Sequence, residues 1–117
     1  MTDTITFTVP AGLRGAGVVA LVLGGLGSRL DLPVDRIDEL ALAVATVAPS
    51  VDGDAFELEA AVLDDRLVVR VGPLEGGTES DAALRRVVDA LVDRVAGIRR
   101  ADSEWLELEI VRGGAGR

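Results

Sequence analysis

Carboxylates, hydroxyl groups, arginine side chains and backbone amides are the groups with which this chain could do chemistry. Its 117 residues contain no Cys, His, Lys, Tyr, Asn or Gln, and all 12 basic residues are arginine. This composition excludes disulfides, thiolate and histidine metal sites, cysteine nucleophiles, Ser-His-Asp triads, Schiff-base lysines and P-loop lysines. Any ligand or reaction must therefore rely on acidic side chains, hydroxyls, guanidinium groups or main-chain N–H groups.

Three segments concentrate these groups, and each has a functional and a structural explanation. Asp35, Asp38 and Glu39 could form a metal cluster, but they fall at the start of a predicted helix, where the helix dipole favours negative charge. We predict a solvated first turn and no metal site. The pair Asp64-Asp65 is typical of a tight turn. The glycine-rich segment 72–79 precedes a predicted helix, so its N–H groups could hold an anion, or it is an ordinary surface loop.

The elements that must position these groups follow from hydrophobic periodicity. Apolar and polar residues alternate over residues 4–9, which predicts a strand, and over residues 55–71, which predicts a hairpin. A final hairpin is predicted from residue 98 onward. Helical spacing covers residues 12–30 and the segment after Pro33. Ser80 is the predicted N-cap of a third helix. Its predicted apolar face comprises Leu84, Val87, Val88, Leu91 and Val95.

The resulting order, β-α-α-β-β-α-β-β, predicts an α+β fold. We expect a two-layer α/β sandwich whose mainly antiparallel sheet is covered on one face by helices. A ferredoxin-like plan with an inserted helix fits the same order and is the alternative. Residues 1–112 are expected to form a single domain, and the glycine-rich residues 113–117 a disordered tail.

The charge and aromatic content disfavour nucleic acid and membranes as partners. The formal net charge is −8 and the sequence pI is about 4.4, so anionic partners are repelled. Three aromatic residues are too few for a base-stacking platform. The uncharged run 15–28 is too short to span a bilayer, and the N-terminus lacks the pattern of a signal peptide. We therefore expect a cytoplasmic protein.

Two features suggest surfaces that contact another protein. Small residues recur at every fourth position of the first predicted helix; they are Ala16, Ala20, Gly24 and Ser28. This stripe is either a dimer or partner interface or a close contact within the chain. Trp105 begins the last predicted strand, where it either anchors an interface or covers the rim of the sheet. The arginines of the last third, such as Arg85 and Arg100, could meet an acidic partner or a phosphate, but we expect them to form ion pairs on an exposed face.

Four segments carry a family resemblance that spans residues 4–111. They are ITFTVPAGLRG, SRLDLPVDRIDELALAV, DDRLVVRV and LRRVVDALVDRV, taken in chain order. In order and in helix-entry sequence they resemble the anti-sigma serine kinase branch of the GHKL (histidine-kinase-like) ATPases. The resemblance implies a GHKL-like fold, a Mg-ATP site and protein partners such as a sigma factor or an anti-anti-sigma protein.

The resemblance also implies where the ATP site would lie. The family's catalytic Glu and its Mg²⁺-holding Asn fall on Thr46 and Ser50, and neither replacement supplies a carboxylate or an amide. The family's Asp-x-Gly-x-Gly adenine motif falls on residues 72–76, where it retains only its last glycine, Gly76. The positions that match the family's ATP site are Thr46, Ser50, Gly72, Gly76, Gly77 and Thr78. The phosphate-covering segment is reduced to Gly76-Gly77-Thr78.

These departures lead to three functional hypotheses. The first is a non-catalytic regulatory module that binds proteins in a partner-switching or anti-sigma pathway, without a cofactor. The second is an ATP-binding anti-sigma serine kinase whose catalytic carboxylate has moved to Glu75 or Glu79. The third is a structural homodimer of ferredoxin-like plan that binds a small ligand. Binding of Mg-ATP would separate the second hypothesis from the first.

Overall fold

The computed structural model describes residues 3–10 and 12–112, and the following elements are defined within them. The strands are β1 (Asp3–Pro10), β2 (Ala55–Val62), β3 (Arg66–Leu74), β4 (Arg94–Arg100) and β5 (Ser103–Val111). The helices are α1 (Leu13–Ser28), α2 (Val34–Val47) and α3 (Ala82–Leu91), and short 3-10 turns cover Ala48–Ser50 and Thr78–Ser80. This order is the predicted β-α-α-β-β-α-β-β. The proposed tail, residues 113–117, lies outside the described residues.

The described strands form one five-stranded antiparallel sheet in the order β1-β2-β3-β5-β4. Strand β1 lies directly beside β2, where Phe7 faces Leu58, and β4 forms the opposite edge beside β5. A ferredoxin-like plan would instead separate its first two strands by another strand. The predicted two-layer α+β sandwich is thus confirmed, and the ferredoxin-like alternative is wrong.

Strand alternation places one set of side chains under the helices and the other set on the opposite face of the sheet. Leu58, Leu67 and Leu108 belong to the helix-facing set and are completely buried. Burial of a side chain of this size stabilises the fold by about 1.5–3 kcal/mol. The helices complete the core with Val19, Leu23, Leu26, Leu40, Val44, Val47 and Val88, and Leu30 of the turn after α1 joins them. We call the face without these residues the outer face of the sheet.

The contact between α1 and α2 depends on the chain reversal that joins them. Asp31 has a φ of 54°, and Pro33 then occupies the N-cap of α2. The reversal brings Ile37 against α1 at Gly27, where an added Cβ would lie 2.5 Å from the Ile37 Cδ1 atom. The segment Asp31-Leu32-Pro33 therefore lies in the turn between the two helices and leads into α2.

Three local predictions around α3 require correction. Gly72, Pro73 and Leu74 belong to β3 and not to a loop, because Leu74 pairs with Glu104 of β5 and bridges to Val51. The N-cap of α3 is Asp81, whose carboxylate accepts a 3.1 Å hydrogen bond from the N–H of Leu84. Ser80 lies in the preceding 3-10 turn instead.

The third helix is also shorter than predicted, because the segment after it is bound to β5. The N–H of Asp93 donates to the carbonyl of Glu109 at 2.9 Å, and the Asp93 carboxylate accepts from the N–H of Val111 at 2.7 Å. Val95 therefore lies in β4, where it faces Leu108, and Val87 is 48% exposed on α3. Neither residue belongs to a buried helix face.

Candidate functional site

The end of α2 and the end of β3 meet, as an ATP site of the predicted type would require. The Ser50 carbonyl accepts a 2.8 Å hydrogen bond from the N–H of Glu75, and the N–H of Asp52 donates to the Pro73 carbonyl at 3.0 Å. Thr46 lies one helical turn before Ser50, and its hydroxyl donates to the Leu42 carbonyl at 2.8 Å. The structure thus brings Ser50 beside the glycine-rich turn, but the Thr46 hydroxyl bonds within its own helix.

Gly72 lies on the other side of the sheet from the end of α2. Its neighbour Val71 faces the core, so Gly72 faces the outer surface, where the indole of Trp105 lies directly over it. A Cβ at Gly72 would be 2.7 Å from the ring Cγ atom and 2.9 Å from Cε2. Gly72 is one of the six positions that match the family's ATP site, and its contact with Trp105 gives it a packing role.

The turn formed by Gly76, Gly77 and Thr78 is held by the carboxylate of Glu104. Its Oε2 atom accepts from the N–H of Gly77 at 2.8 Å, and its Oε1 atom accepts from the N–H of Glu79 at 2.9 Å. Thr78 is buried, and its hydroxyl donates to the Glu75 carbonyl at 2.6 Å. The predicted anion-binding amides are thus bonded to an anionic side chain of the chain itself.

Electrostatics around Glu104 agree with this arrangement. The hydrogen bonds from the backbone N–H groups of Glu79 and Gly77 lower the pKa of the Glu104 carboxyl, and nearby Arg99 lowers it further. Each of these contacts stabilises the ionised form. Sequence reasoning missed Glu104, because a single Glu at the start of a strand carries no signal of a partner so distant along the chain.

Glu75 and Glu79, the two carboxylates considered as relocated catalytic bases, lie in different surroundings. Glu75 is exposed in the turn. The Glu79 side chain lies over Gly97 of β4, where an added Cβ would be 2.6 Å from the Glu79 Oε1 atom and would overlap its carboxyl carbon. Arg85 also donates to the Glu79 carbonyl at 3.2 Å. Glu79 is therefore packed on the sheet, whereas Glu75 is free to reach solvent.

The outer face of the sheet carries a row of ion pairs centred on Glu59. Arg100 binds Glu59 through two hydrogen bonds of 2.5 and 2.8 Å, and Arg70 lies 3.7 Å from the same carboxylate. Arg70 also donates to Glu107 at 2.7 Å. The hydrogen bond from Arg100, followed by the charges of Arg100 and Arg70, lowers the pKa of Glu59. The same hydrogen bond raises the pKa of Arg100.

Trp105 makes its contacts within this outer face. It is 6% exposed, and the Arg100 guanidinium lies 4.7 Å from the centroid of its ring. A cation at this distance over an indole face is attracted by the ring electrons. The indole is thus enclosed between Gly72 and Arg100, which corresponds to the rim-covering alternative and leaves little of it for a partner.

The small-residue stripe of α1 is largely exposed. Ala16, Ala20 and Ser28 are exposed, and a Cβ at Gly24 would have no neighbour within 4 Å. The adjoining helix surface carries Val18 and Leu21, which are 41% and 78% exposed; we call these six residues the α1 face. The close contacts of α1 within the chain are made by other residues, such as Gly15 and Gly27.

A half-open apolar cavity of about 440 Å³ adjoins this face between α1 and α2. It is lined by Gly12, Ala16, Val19, Ala41, Val44, Ala45, Ala48, Pro49 and Phe56. None of these residues carries a charge, so the cavity has no charged side chain among its lining residues to pair with a triphosphate. Ala16 belongs both to the cavity and to the α1 face.

The described residues show neither a metal cluster nor a membrane-spanning helix. Within residues 3–10 and 12–112, no three acidic side chains are grouped so that they could hold a metal ion. In the predicted acidic cluster, Glu39 binds Arg36, which also lies 3.2 Å from Asp93. No helix of the described part of the chain is both long enough and apolar enough to cross a bilayer.

The fold is that of the GHKL-like domains. This chain matches the crystal structure of the RsbU and RsbW domains of Rv1364c from Mycobacterium tuberculosis with a TM-score of 0.64 and 15% sequence identity. It covers 92% of this chain and 32% of that one. The serine-protein kinase RsbW of Halalkalibacterium halodurans is 36% identical over 55 residues, which are 47% of this chain and 34% of the kinase. No protein-family model matches the chain.

These comparisons confirm the predicted resemblance to the anti-sigma serine kinase family and the predicted GHKL-like fold. Each comparison involves only part of the other protein. The matched regions are about a third of the length of the kinase and of the Mycobacterium tuberculosis chain.

Proposed function

We propose that this chain is a regulatory protein-binding module of the anti-sigma or partner-switching type, and that it works without ATP. The observation that carries the proposal is the α1 face, an exposed helix surface with no charge between Arg14 and Arg29. Contiguous apolar surface of this kind is typical of protein interaction sites. The similarity to an RsbW kinase supports a sigma factor or an anti-anti-sigma protein as the partner.

Three observations support the loss of nucleotide binding. Thr46 and Ser50 replace the family's carboxylate base and Mg²⁺ ligand, Glu104 occupies the amides of the glycine-rich turn, and Gly72 packs under Trp105. A triphosphate brought to this turn would meet a carboxylate where it needs a donor. A cytoplasmic location agrees with such a role and remains part of the proposal.

Thermal unfolding with and without millimolar Mg-ATP tests the nucleotide part. ATP at about 100 times its dissociation constant would add about 2.7 kcal/mol if it bound only the folded chain. In a domain of this size such binding raises Tm by about 10 °C or more. We expect no shift. A rise of that size would overturn the proposal and favour the kinase alternative, with exposed Glu75 as the first base to replace.

Direct binding tests the protein part. The purified chain is titrated with each sigma factor and each anti-anti-sigma protein of its own genome, and the dissociation constants are measured by calorimetry. We expect Leu21→Arg to weaken binding at least tenfold, because it places a charge in the middle of the α1 face. Val34→Arg is the matched control, since Val34 is 70% exposed at the start of α2, outside that face.

Equal binding by the wild type and Leu21→Arg would contradict the assignment of the α1 face. Light scattering measured on the same two proteins separates a second possibility. A wild-type dimer that Leu21→Arg converts to a monomer, with no binding to any sigma or anti-anti-sigma protein, would mean that the α1 face joins two copies of this chain.

A further inference from the structure

Glu104 is placed by the sheet so that its carboxylate must meet the glycine-rich turn. It is the second residue of β5 and pairs with Leu74 at the end of β3 and with Arg99 of β4. The register between β3 and β5 shifts between Val71 and Leu74, and the turn begins immediately after Leu74. The carboxylate is therefore fixed at the base of the turn by two neighbouring strands.

The turn presents its N–H groups to that carboxylate. Gly77 has a φ of 92°, a left-handed conformation that glycine adopts without strain. Backbone in which a left-handed residue adjoins right-handed ones can direct nearby N–H groups to one side, where they form a concave anion site. Here the N–H groups of Gly77 and Glu79 bind separate oxygens of one carboxylate. This is a bidentate, charge-assisted contact, stronger than a pair of neutral hydrogen bonds.

The turn and the elements beside it carry further charged groups. Arg99 of β4 lies opposite Glu104 and favours its ionised form. The Glu79 carboxylate is turned away over Gly97, and Arg85 of α3 donates to the Glu79 carbonyl. Glu75 is exposed in the turn itself. Because Arg99 and the two N–H groups favour the ionised form of Glu104, the carboxylate accepts both hydrogen bonds at neutral pH.

We propose that Glu104 is an autoinhibitory internal anion: its carboxylate occupies the N–H groups of Gly77 and Glu79 in the glycine-rich turn and prevents an external phosphate group from binding there. The inference rests on the proposed function, because it supplies a physical reason for the loss of nucleotide binding. It also predicts a latent property. The turn accepts phosphate when Glu104 is removed, although Thr46 and Ser50 still do not supply the catalytic groups.

Amide NMR of the wild-type protein tests the contact without any ligand. As the pH is lowered from 7, the amide proton resonances of Gly77 and Glu79 should move together, with one apparent pKa below the ordinary value of about 4.5. Glu104→Gln should abolish this joint titration, and Glu75→Gln, a neutralisation in the same turn, should retain it. A titration that persists in Glu104→Gln, or that is missing from the wild type, would overturn the proposal.

Titration with inorganic phosphate at pH 7 and constant ionic strength tests the autoinhibition. We expect saturable shifts at Gly77 and Glu79 in Glu104→Ala, and at least tenfold weaker binding in the wild type. Equal phosphate binding by the two proteins would refute autoinhibition. The wild-type thermal shift with Mg-ATP is a separate measurement. The thermal shift tests the proposed function, whereas the pH titration tests only the Glu104 contact. A failure of one proposal is therefore distinguishable from a failure of the other.

Discussion

The indole of Trp105 lies against Gly72 on the outer face of the sheet, at a spacing that leaves no room for a side chain on residue 72. This relationship gives Gly72 a role in packing that does not involve the core or the helices. It also gives a structural explanation of a glycine that the family resemblance had placed at a nucleotide-site position.

Gly72→Ala should destabilise the protein, because the new Cβ would overlap the Trp105 ring. Overpacking of this kind costs about 1–3 kcal/mol. Gly76→Ala is the matched control, since a Cβ there meets only the Glu104 Oε2 atom at an ordinary 3.9 Å. Urea unfolding should show a loss for Gly72→Ala and a change within about 0.5 kcal/mol for Gly76→Ala. Equal stability of the two variants would contradict the packing role.

Arg100→Ala should lower the free energy of unfolding by about 1 kcal/mol at pH 7, because it removes a bidentate ion pair with Glu59 and a cation over Trp105. The loss is no larger because both groups are partly exposed and solvent screens their charges. Arg86→Ala on α3 is the control, because Arg86 is exposed. Urea unfolding measures both variants. A change below about 0.5 kcal/mol in Arg100→Ala would mean that screening cancels the contact.

The Arg100 effect should depend on pH. The pKa of Glu59 is lowered in the folded protein, chiefly by Arg100, so the stabilisation is complete above the ordinary value of about 4.5. It is lost as the pH falls through the lower folded value. The stability difference between wild type and Arg100→Ala, measured by urea unfolding from pH 7 to pH 3, should therefore shrink below pH 4.5. A difference that stays constant over this range would exclude the Glu59 contact as its source.

Two glycines of α1 should respond in opposite directions to alanine. A Cβ at Gly15 would lie 2.8 Å from the Val9 Cγ1 atom and overlap the Pro10 carbonyl oxygen, whereas a Cβ at Gly17 meets nothing within 4 Å. Gly15→Ala should destabilise by about 1–3 kcal/mol or more, because backbone must move. Gly17→Ala should stabilise by about 0.5–1 kcal/mol, since alanine favours helix. Thermal unfolding of both variants checks the signs, and two changes of the same sign would contradict the packing of α1 on β1.

Asp81→Ala should cost about 1 kcal/mol through the loss of the N-cap of α3. Ser80→Ala tests the neighbour that has the same capping chemistry but lies in the 3-10 turn. It should change stability by less than about 0.5 kcal/mol, as surface substitutions without a special contact usually do. Chemical unfolding of both variants measures the difference. A larger loss of stability in Ser80→Ala than in Asp81→Ala would mean that Ser80 is the N-cap of α3, as the sequence pattern predicted.

The element order was predictable, because the strands and helices carry clear periodicities. The exact N-cap was not, since Ser80 and Asp81 are adjacent and both residue types cap helices. The length of β3 depends on the pairing of Leu74 with Glu104, two residues that lie far apart in the sequence. Local patterns contain no information about such pairs.

The same limit applies to the candidate site. The resemblance located Ser50 and the glycine-rich turn in neighbouring places, and the structure joins them through the N–H of Glu75. It did not reveal that Glu104 would bind the turn or that Gly72 would face the opposite side of the sheet. Both outcomes depend on the register of β3 against β5, which only the folded chain defines.

The position of β4 at the edge of the sheet has a consequence for aggregation. An edge strand exposes unpaired N–H and carbonyl groups that can template the addition of a strand from another molecule. Three of the seven residues of β4 are arginines: Arg94, Arg99 and Arg100. Two copies that met at this edge would bring these positive charges together, so the strand resists pairing with itself in a chain that is otherwise strongly acidic.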